Sequence, residues 1–290
     1  MVLSKLKTYG DLVMFQHTLF ALPFALIGVL LAAGGLPTGW QLFWVLVAMF
    51  GARNGANALN RLVDSEIDAM NPRTVHRHLP RGLVKKWEVA LLVLICFVLF
   101  VLAAYMLNPL CLALLPIPMA IFVLYSYTKR FTWLCHLILG AGCGGAPMGG
   151  WLAIRGAITY PDIIPPFLLW GAVALWVAGF DIIYGTQDVE FDRNHGLHSI
   201  PAAFGIPKAL WISRAFHFIA VILLAGVGLI MDLGWLYWIG TVVVAGLLVY
   251  EHSLVSPDNP EQVKIASYSV NEIIGVFMLV FTFLDVMLLR

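Results

Sequence analysis

Nine runs of mostly apolar residues dominate the 290-residue chain, near 12–34, 39–62, 88–106, 109–127, 133–154, 162–185, 209–231, 234–253 and 265–289. About 20 such residues, each rising roughly 1.5 Å, cross the hydrocarbon core of a bilayer. No water is present there to satisfy bare backbone, so the runs are expected to be helices. Breakers separate them: Gly34, Gly35 and Pro37, Asn108 and Pro109, Pro161, and the stretches 196–207, 232–234 and 257–260. The expectation is one all-α transmembrane domain, residues 1–290, with nine helices in a bundle. Hydrophobic residues make up 61% of the chain and charged residues 11%. Soluble domains are nearer 45–50% apolar and about 25% charged. This excludes a cytosolic enzyme and a disordered chain, and a net charge of +1 argues against a nucleic-acid partner. The bilayer is the implied environment.

The basic residues fall on one side of the predicted topology. Lys5 and Lys7 precede the first run, and Arg61, Arg73, Arg77, Arg81, Lys85 and Lys86 follow the second. Lys129 and Arg130 follow the fourth, Arg193, Lys208 and Arg214 the sixth, and Lys264 the eighth. Only Arg155 and Arg290 fall on the other side, with Arg53 inside the second run. The excess of Lys and Arg on cytoplasmic loops predicts a cytoplasmic N-terminus. Residues 1–16 lack the pattern of a cleavable signal.

Seven of the 16 acidic residues crowd two windows: Asp64, Glu66 and Asp68 at the end of the second run, and Asp181, Asp188, Glu190 and Asp192 at the end of the sixth. Both windows fall on the cytoplasmic side. Asp64 and Asp68, like Asp188 and Asp192, are four apart, which places each pair on one helix face. Like charges at that spacing repel, so a cation is expected to neutralise them. In the second run Arg53, Asn57, Asn60, Asp64 and Asp68 form a polar stripe at helical spacing, and in the sixth Asp181, Tyr184, Gln187, Asp188 and Asp192 do so. An arginine within a membrane helix faces a cavity or a partner. The stripes therefore predict a central cavity opening to the cytoplasmic side. Mg²⁺ prefers oxygen ligands and typically bridges one or two carboxylates to substrate phosphates. Two carboxylate pairs suit Mg²⁺ and a diphosphate, with Arg73, Arg77, Lys129 and Arg130 available for phosphate charge.

The segment 60–68, with Asn60, Asp64 and Asp68 at four-residue steps, resembles the NxxxDxxxD motif of UbiA-type intramembrane aromatic prenyltransferases. Residues 181–192, DIIYGTQDVEFD, resemble the family's second motif. YSYTKR at 125–130 resembles its basic loop after the fourth helix, and 71–82 the loop after the first motif. The resemblance covers essentially the whole chain and is nearest to bacterial 4-hydroxybenzoate polyprenyltransferases, some associated with menaquinone made by the futalosine route. It implies a multi-pass protein of the bacterial inner membrane that acts in quinone biosynthesis. The implied reaction moves a polyprenyl group from polyprenyl diphosphate to an aromatic acid with Mg²⁺, and no obligatory protein partner is implied. By resemblance Asp64, Asp68, Asp188 and Asp192 hold Mg²⁺. Asn60, Arg73, Arg77, Lys129 and Arg130 bind diphosphate, and Arg53 and Asn57 bind the aromatic acid. Asp181 or Tyr184 orients the phenol or takes the ring proton. The futalosine-route relatives imply a dihydroxynaphthoate as the alternative acceptor, and Arg61 and His198 depart from many relatives at positions that bear on acceptor or phosphate contacts.

Other features carry less. His17 and His136 read as interior helix residues, and the HRH at 76–78 lacks the further ligands of a zinc site. The cysteines Cys96, Cys111, Cys135 and Cys143 form no CxxC pair and read as small core residues. Gly140 to Pro147 reads as a close-packing stretch, and Glu272 and Asp285 have no partner by spacing. A transporter of an anionic metabolite is the rival of another class. Its site would be expected near the midplane on broken helices rather than at one membrane face.

Overall fold

The computed structural model describes residues 8–14, 18–255, 263 and 270–289. Lys5, Lys7, His17, Lys264, Arg290 and the predicted break at 257–260 lie outside them. The described residues are helical with no strand. The helices are α1 (Thr18–Ala33), α2 (Gly39–Val63), α3 (Ser65–Met70), α4 (Lys86–Leu107), α5 (Pro109–Leu114), α6 (Pro116–Thr128) and α7 (Cys135–Arg155). They continue as α8 (Ile164–Gly185), α9 (Val189–Asn194), α10 (Ile200–Phe204), α11 (Ile206–Ile230), α12 (Trp235–Leu254) and α13 (Asn271–Leu288).

Seven helical stretches are long and apolar enough to cross a membrane: Lys86–Leu107, Pro109–Thr128, Cys135–Arg155, Ile164–Asn194, Ile206–Ile230, Trp235–Leu254 and Asn271–Leu288. The chain is a multi-pass membrane protein. Two further helices occupy the first two predicted runs. Helix α1 has 16 residues, and α2 runs for 25 residues but carries the polar stripe. Large apolar side chains face outward, among them Leu94 at 59% exposure and Val249 at 72%. Lipid tails are the solvent that such a surface fits.

Three short helices lie outside the predicted set: α3, α9 and α10. The fourth run also divides, at Leu115, into α5 and α6. Pro116 lacks the N–H that a continuous helix would need, and takes the first position of α6 instead.

Helix α1 packs on α7, α7 on α8, α8 on α11, α11 on α12, α12 on α13, and α13 back on α1. This ring is filled by an apolar core that includes Phe24, Ile27, Trp151, Trp176, Leu224, Tyr237 and Met278. On the other side of α1 and α7, α2 packs on α4 and α6. The small residues of α7 permit close approach: a side chain at Gly140 would meet the Ala174 carbonyl of α8, so the stretch at 140–147 packs as expected. Asp285, unplaced by sequence, is fully buried and accepts from the N–H groups of Gly234 (2.9 Å) and Tyr237 (3.1 Å). It caps the start of α12 from α13 and meets the positive end of that helix dipole. All four cysteines are free.

Candidate active site

Both acidic motifs have the same local form, and it differs from the continuous helix face expected from spacing. Helix α2 stops at Val63, Asp64 has φ −90° and ψ 6°, and the short helix α3 then begins. Helix α8 stops at Gly185, a 3₁₀ turn covers Thr186–Asp188, Asp188 has φ −105° and ψ 5°, and α9 begins. Each first aspartate therefore occupies a hinge near the sparsely populated bridge region, and each second aspartate lies on the short helix beyond. Aspartate suits a hinge because its short side chain competes with helical backbone bonding. Asp188 follows Asp64 by 124 residues, and α9 follows α3 by the same interval.

The loop after α3 ties the two motifs together. Asn71 Nδ2 donates to Asp188 Oδ1 at 3.0 Å. Arg73 grips both oxygens of Asp188 with a guanidinium fork, Nε to Oδ1 at 2.8 Å and Nη2 to Oδ2 at 2.5 Å. The same guanidinium donates to the Tyr184 hydroxyl and lies over its ring, 4.7 Å from the centroid. Arg77 Nη1 meets Asp68 Oδ1 at 2.6 Å. Arg130, beyond α6, meets Asp64 Oδ1 at 3.2 Å, while Asn60 Nδ2 donates to Asp64 Oδ2 at 2.8 Å. Lys129 Nζ stands 4.0 Å from Asp192 Oδ2, which also accepts from Ser199 Oγ at 2.8 Å.

The four cations expected at phosphate thus pair one to one with the four aspartates expected at metal. Asp68, Asp188 and Asp192 are buried, and a buried carboxylate requires such a partner. Burial and the neighbouring charge of Asp68 hold the Asp64 carboxyl above its ordinary range, against the pull of Arg130. Burial pushes the Lys129 ammonium down, but the attraction of Asp192, Asp188 and Asp181 outweighs it and the net shift is upward. Among the described residues no group of three or more His, Cys, Asp or Glu side chains stands ready to hold a metal ion. The donors are instead pairs of hard oxygens. That fits a cation which completes its shell with waters and substrate phosphates.

Deeper in the bundle, Arg53 Nη1 donates to Asn57 Oδ1 at 3.1 Å, and Asn57 Nδ2 donates to the Val13 carbonyl at 2.8 Å. Arg53 Nε is buried without a hydrogen-bond partner. Among the described residues no carboxylate lies within 4.0 Å of this guanidinium. On α8, Asp181 Oδ2 meets His136 Nδ1 of α7 at 2.7 Å. Sequence reading missed this partner, because 45 residues separate the two and no periodicity links them. Arg61 donates Nη2 to the Met14 sulfur at 3.1 Å.

Residues 21–279 match the model of the UbiA prenyltransferase family. A 4-hydroxybenzoate octaprenyltransferase of Cupriavidus necator is 31% identical over 266 residues, 88% of each chain. The apo structure of a UbiA homolog from Aeropyrum pernix superposes with a TM-score of 0.85 at 34% identity, covering 93% of this chain and 98% of that one. A UbiA homolog from Archaeoglobus fulgidus, bound to DMAPP and Mg²⁺, shares the fold with a TM-score of 0.71 at 21% identity, over 97% of this chain and 99% of that one. The paired hinges, the helix order and the extent of these likenesses agree: the chain is an enzyme of the UbiA prenyltransferase family.

Proposed function

We propose that this enzyme transfers a polyprenyl group from polyprenyl diphosphate to an aromatic acid of the 4-hydroxybenzoate type. The observation that carries the reading is the juxtaposition of the two aspartate hinges with a deeper arginine that has no carboxylate partner among the described residues. The relatives' names point to the same acceptor. Asp64, Asp68, Asp188 and Asp192 would hold Mg²⁺, which supplies positive charge against the diphosphate leaving group. Asn60 holds Asp64 in place. Arg73, Arg77, Lys129 and Arg130 turn from the aspartates to the phosphate oxygens as the donor binds, and their fixed charge favours the departing diphosphate. Arg53, steadied by Asn57, receives the carboxylate of the acceptor. The ring carbon ortho to the hydroxyl then bonds to the allylic carbon as the bond from that carbon to the diphosphate oxygen breaks, and Asp181 or Tyr184 takes up the ring proton.

In this reading α1 and α2 span the membrane with the seven apolar stretches, giving nine spans. The motif ends face the cytoplasm across the bacterial inner membrane, and the cavity opens on that side. The test is prenyl transfer on membranes holding the full chain, with labelled octaprenyl diphosphate, Mg²⁺, and 4-hydroxybenzoate and dihydroxynaphthoate offered side by side. Prenylated 4-hydroxybenzoate is the expected product. Labelled naphthoate alone would reassign the acceptor, and no product from either would refute the reading.

A further inference from the structure

Helices α2 and α8 run toward the same cluster of paired charges, so depth along them can be counted from the hinges. Arg53 lies 11 residues before Asp64, about 16 Å, and Asp181 lies seven before Asp188, about 10 Å. Asp181 is therefore about 6 Å nearer the diphosphate end than Arg53. That interval is comparable with the span of 4-hydroxybenzoate from carboxylate to hydroxyl. With the carboxylate on Arg53, the phenolic end and the ring carbons beside it reach the depth of Asp181.

The two candidates for the ring proton differ in their surroundings. The Tyr184 hydroxyl accepts from Arg73 and its ring lies beneath that guanidinium, which joins it to the phosphate cluster. The Asp181 side chain is 22% exposed, with one oxygen on His136, which is 1% exposed. An ionised carboxylate can only accept, so the ring nitrogen facing it carries the hydrogen. His136 opens α7 and its imidazole packs against the Gly185 position of α8. The ring is thus fixed from two helices. One oxygen of Asp181 is held, and the other has no hydrogen-bond partner among the described residues.

We infer that His136 and Asp181 form a positioning pair: Asp181 is the base that removes the ring proton, and His136 orients it. This rests on the prenyl-transfer reading. In the step, the bond between the allylic carbon and the diphosphate oxygen breaks and a bond from that carbon to the ring forms. The ring C–H bond at the substituted carbon then breaks. Its electron pair restores aromaticity, and its proton passes to the outer oxygen of Asp181.

The test uses membranes containing the full chain, octaprenyl diphosphate, and whichever of 4-hydroxybenzoate or dihydroxynaphthoate the wild type turns over, deuterated at the carbon that receives the prenyl group. Restoring aromaticity is fast when a base is in place, so the wild type is expected to show no primary isotope effect on kcat. Asp181→Asn and His136→Leu slow proton loss. Both are expected to lower kcat, by about 10²-fold or more for Asp181→Asn, to leave KM for octaprenyl diphosphate unchanged, and to reveal a primary isotope effect. His136→Asn keeps a donor at the position of Nδ1 and is expected to recover most of kcat and to suppress the isotope effect. Slow variants with no isotope effect, or a normal kcat in His136→Leu, would overturn the pair while the wild-type product still upholds prenyl transfer. A wild type that prenylates neither acceptor would overturn both. If His136→Leu fails to accumulate as folded protein, the isotope effect in Asp181→Asn and its absence in His136→Asn decide the matter.

Discussion

Arg53→Ala separates a substrate-binding arginine from a structural one. Among the described residues the guanidinium donates to one neutral acceptor, Asn57, and its Nε is buried without a partner. Removing it leaves no buried carboxylate exposed to an uncompensated field, since none lies within ion-pair distance among the described residues. The cost to folding is then that of one ordinary hydrogen bond, about 1 kcal/mol. The cost to binding is larger, because a charge-assisted bond to the acceptor's carboxylate contributes about 1.5–3 kcal/mol. KM for the aromatic acid should rise roughly 10- to 150-fold, with KM for octaprenyl diphosphate nearly unchanged. Arg53→Lys keeps the charge but loses the fork, and should fall between. Initial rates with each substrate varied in turn, together with a thermal melt of the purified protein in detergent, provide the measurement. Equal rises in both KM values, or a melt showing that Arg53→Ala no longer folds, would refute the assignment.

Asp64→Asn and Asp188→Asn should each remove turnover while leaving the helices folded, since each keeps the size of the hinge side chain; near-wild-type rates in either variant would count against the metal assignment. Chelation of divalent cations should abolish transfer, and added Mg²⁺ should restore it. Because the four aspartates already match four cations, Mg²⁺ and pyrophosphate should each bind more tightly in the presence of the other, by equal factors, as thermodynamic linkage requires; calorimetry that finds them independent would contradict the charge balance. Asp285→Ala removes the carboxylate that accepts from the Gly234 and Tyr237 N–H groups at the start of α12 and should destabilise the protein by about 1–3 kcal/mol, read as a lower melting temperature with unchanged KM values.

The helices were legible because a bilayer imposes a length on any apolar run that crosses it. The run near 209–231 is the helix Ile206–Ile230, and the run near 234–253 is Trp235–Leu254. Hydropathy is blind to a local interruption inside an apolar run, so the division at Leu115 was missed although Pro116 marks it. The motif spacing located the aspartates but gave the wrong local form. A step of four reads as one helix face, whereas Asp64 and Asp188 each end one helix and start another. Long-range partners were not legible at all. Nothing in sequence spacing links Asn71 and Arg73 to Asp188, His136 to Asp181, or Asp285 to the start of α12, because each pairing is set by how helices pack rather than by period.

The two hinges share a backbone and an interval of 124 residues, but the likeness ends about two turns before the aspartates. The counterpart of Asn57 in the second copy is Asp181, and the counterpart of Arg53 is Val177. On the proposed reading, where the two segments agree they make two matching half-sites, and a diphosphate is itself two like halves joined through an oxygen. Where they diverge, the proposed acceptor site has unlike sides, and an aromatic acid has a head and a tail that must enter one way round. On the proposed reading, the recurring hinge serves the leaving group and the divergence before it serves the acceptor. On that reading, selectivity for a new aromatic acid would be rewritten at Arg53 and Asn57, with the Asp181 base and the paired hinges left undisturbed.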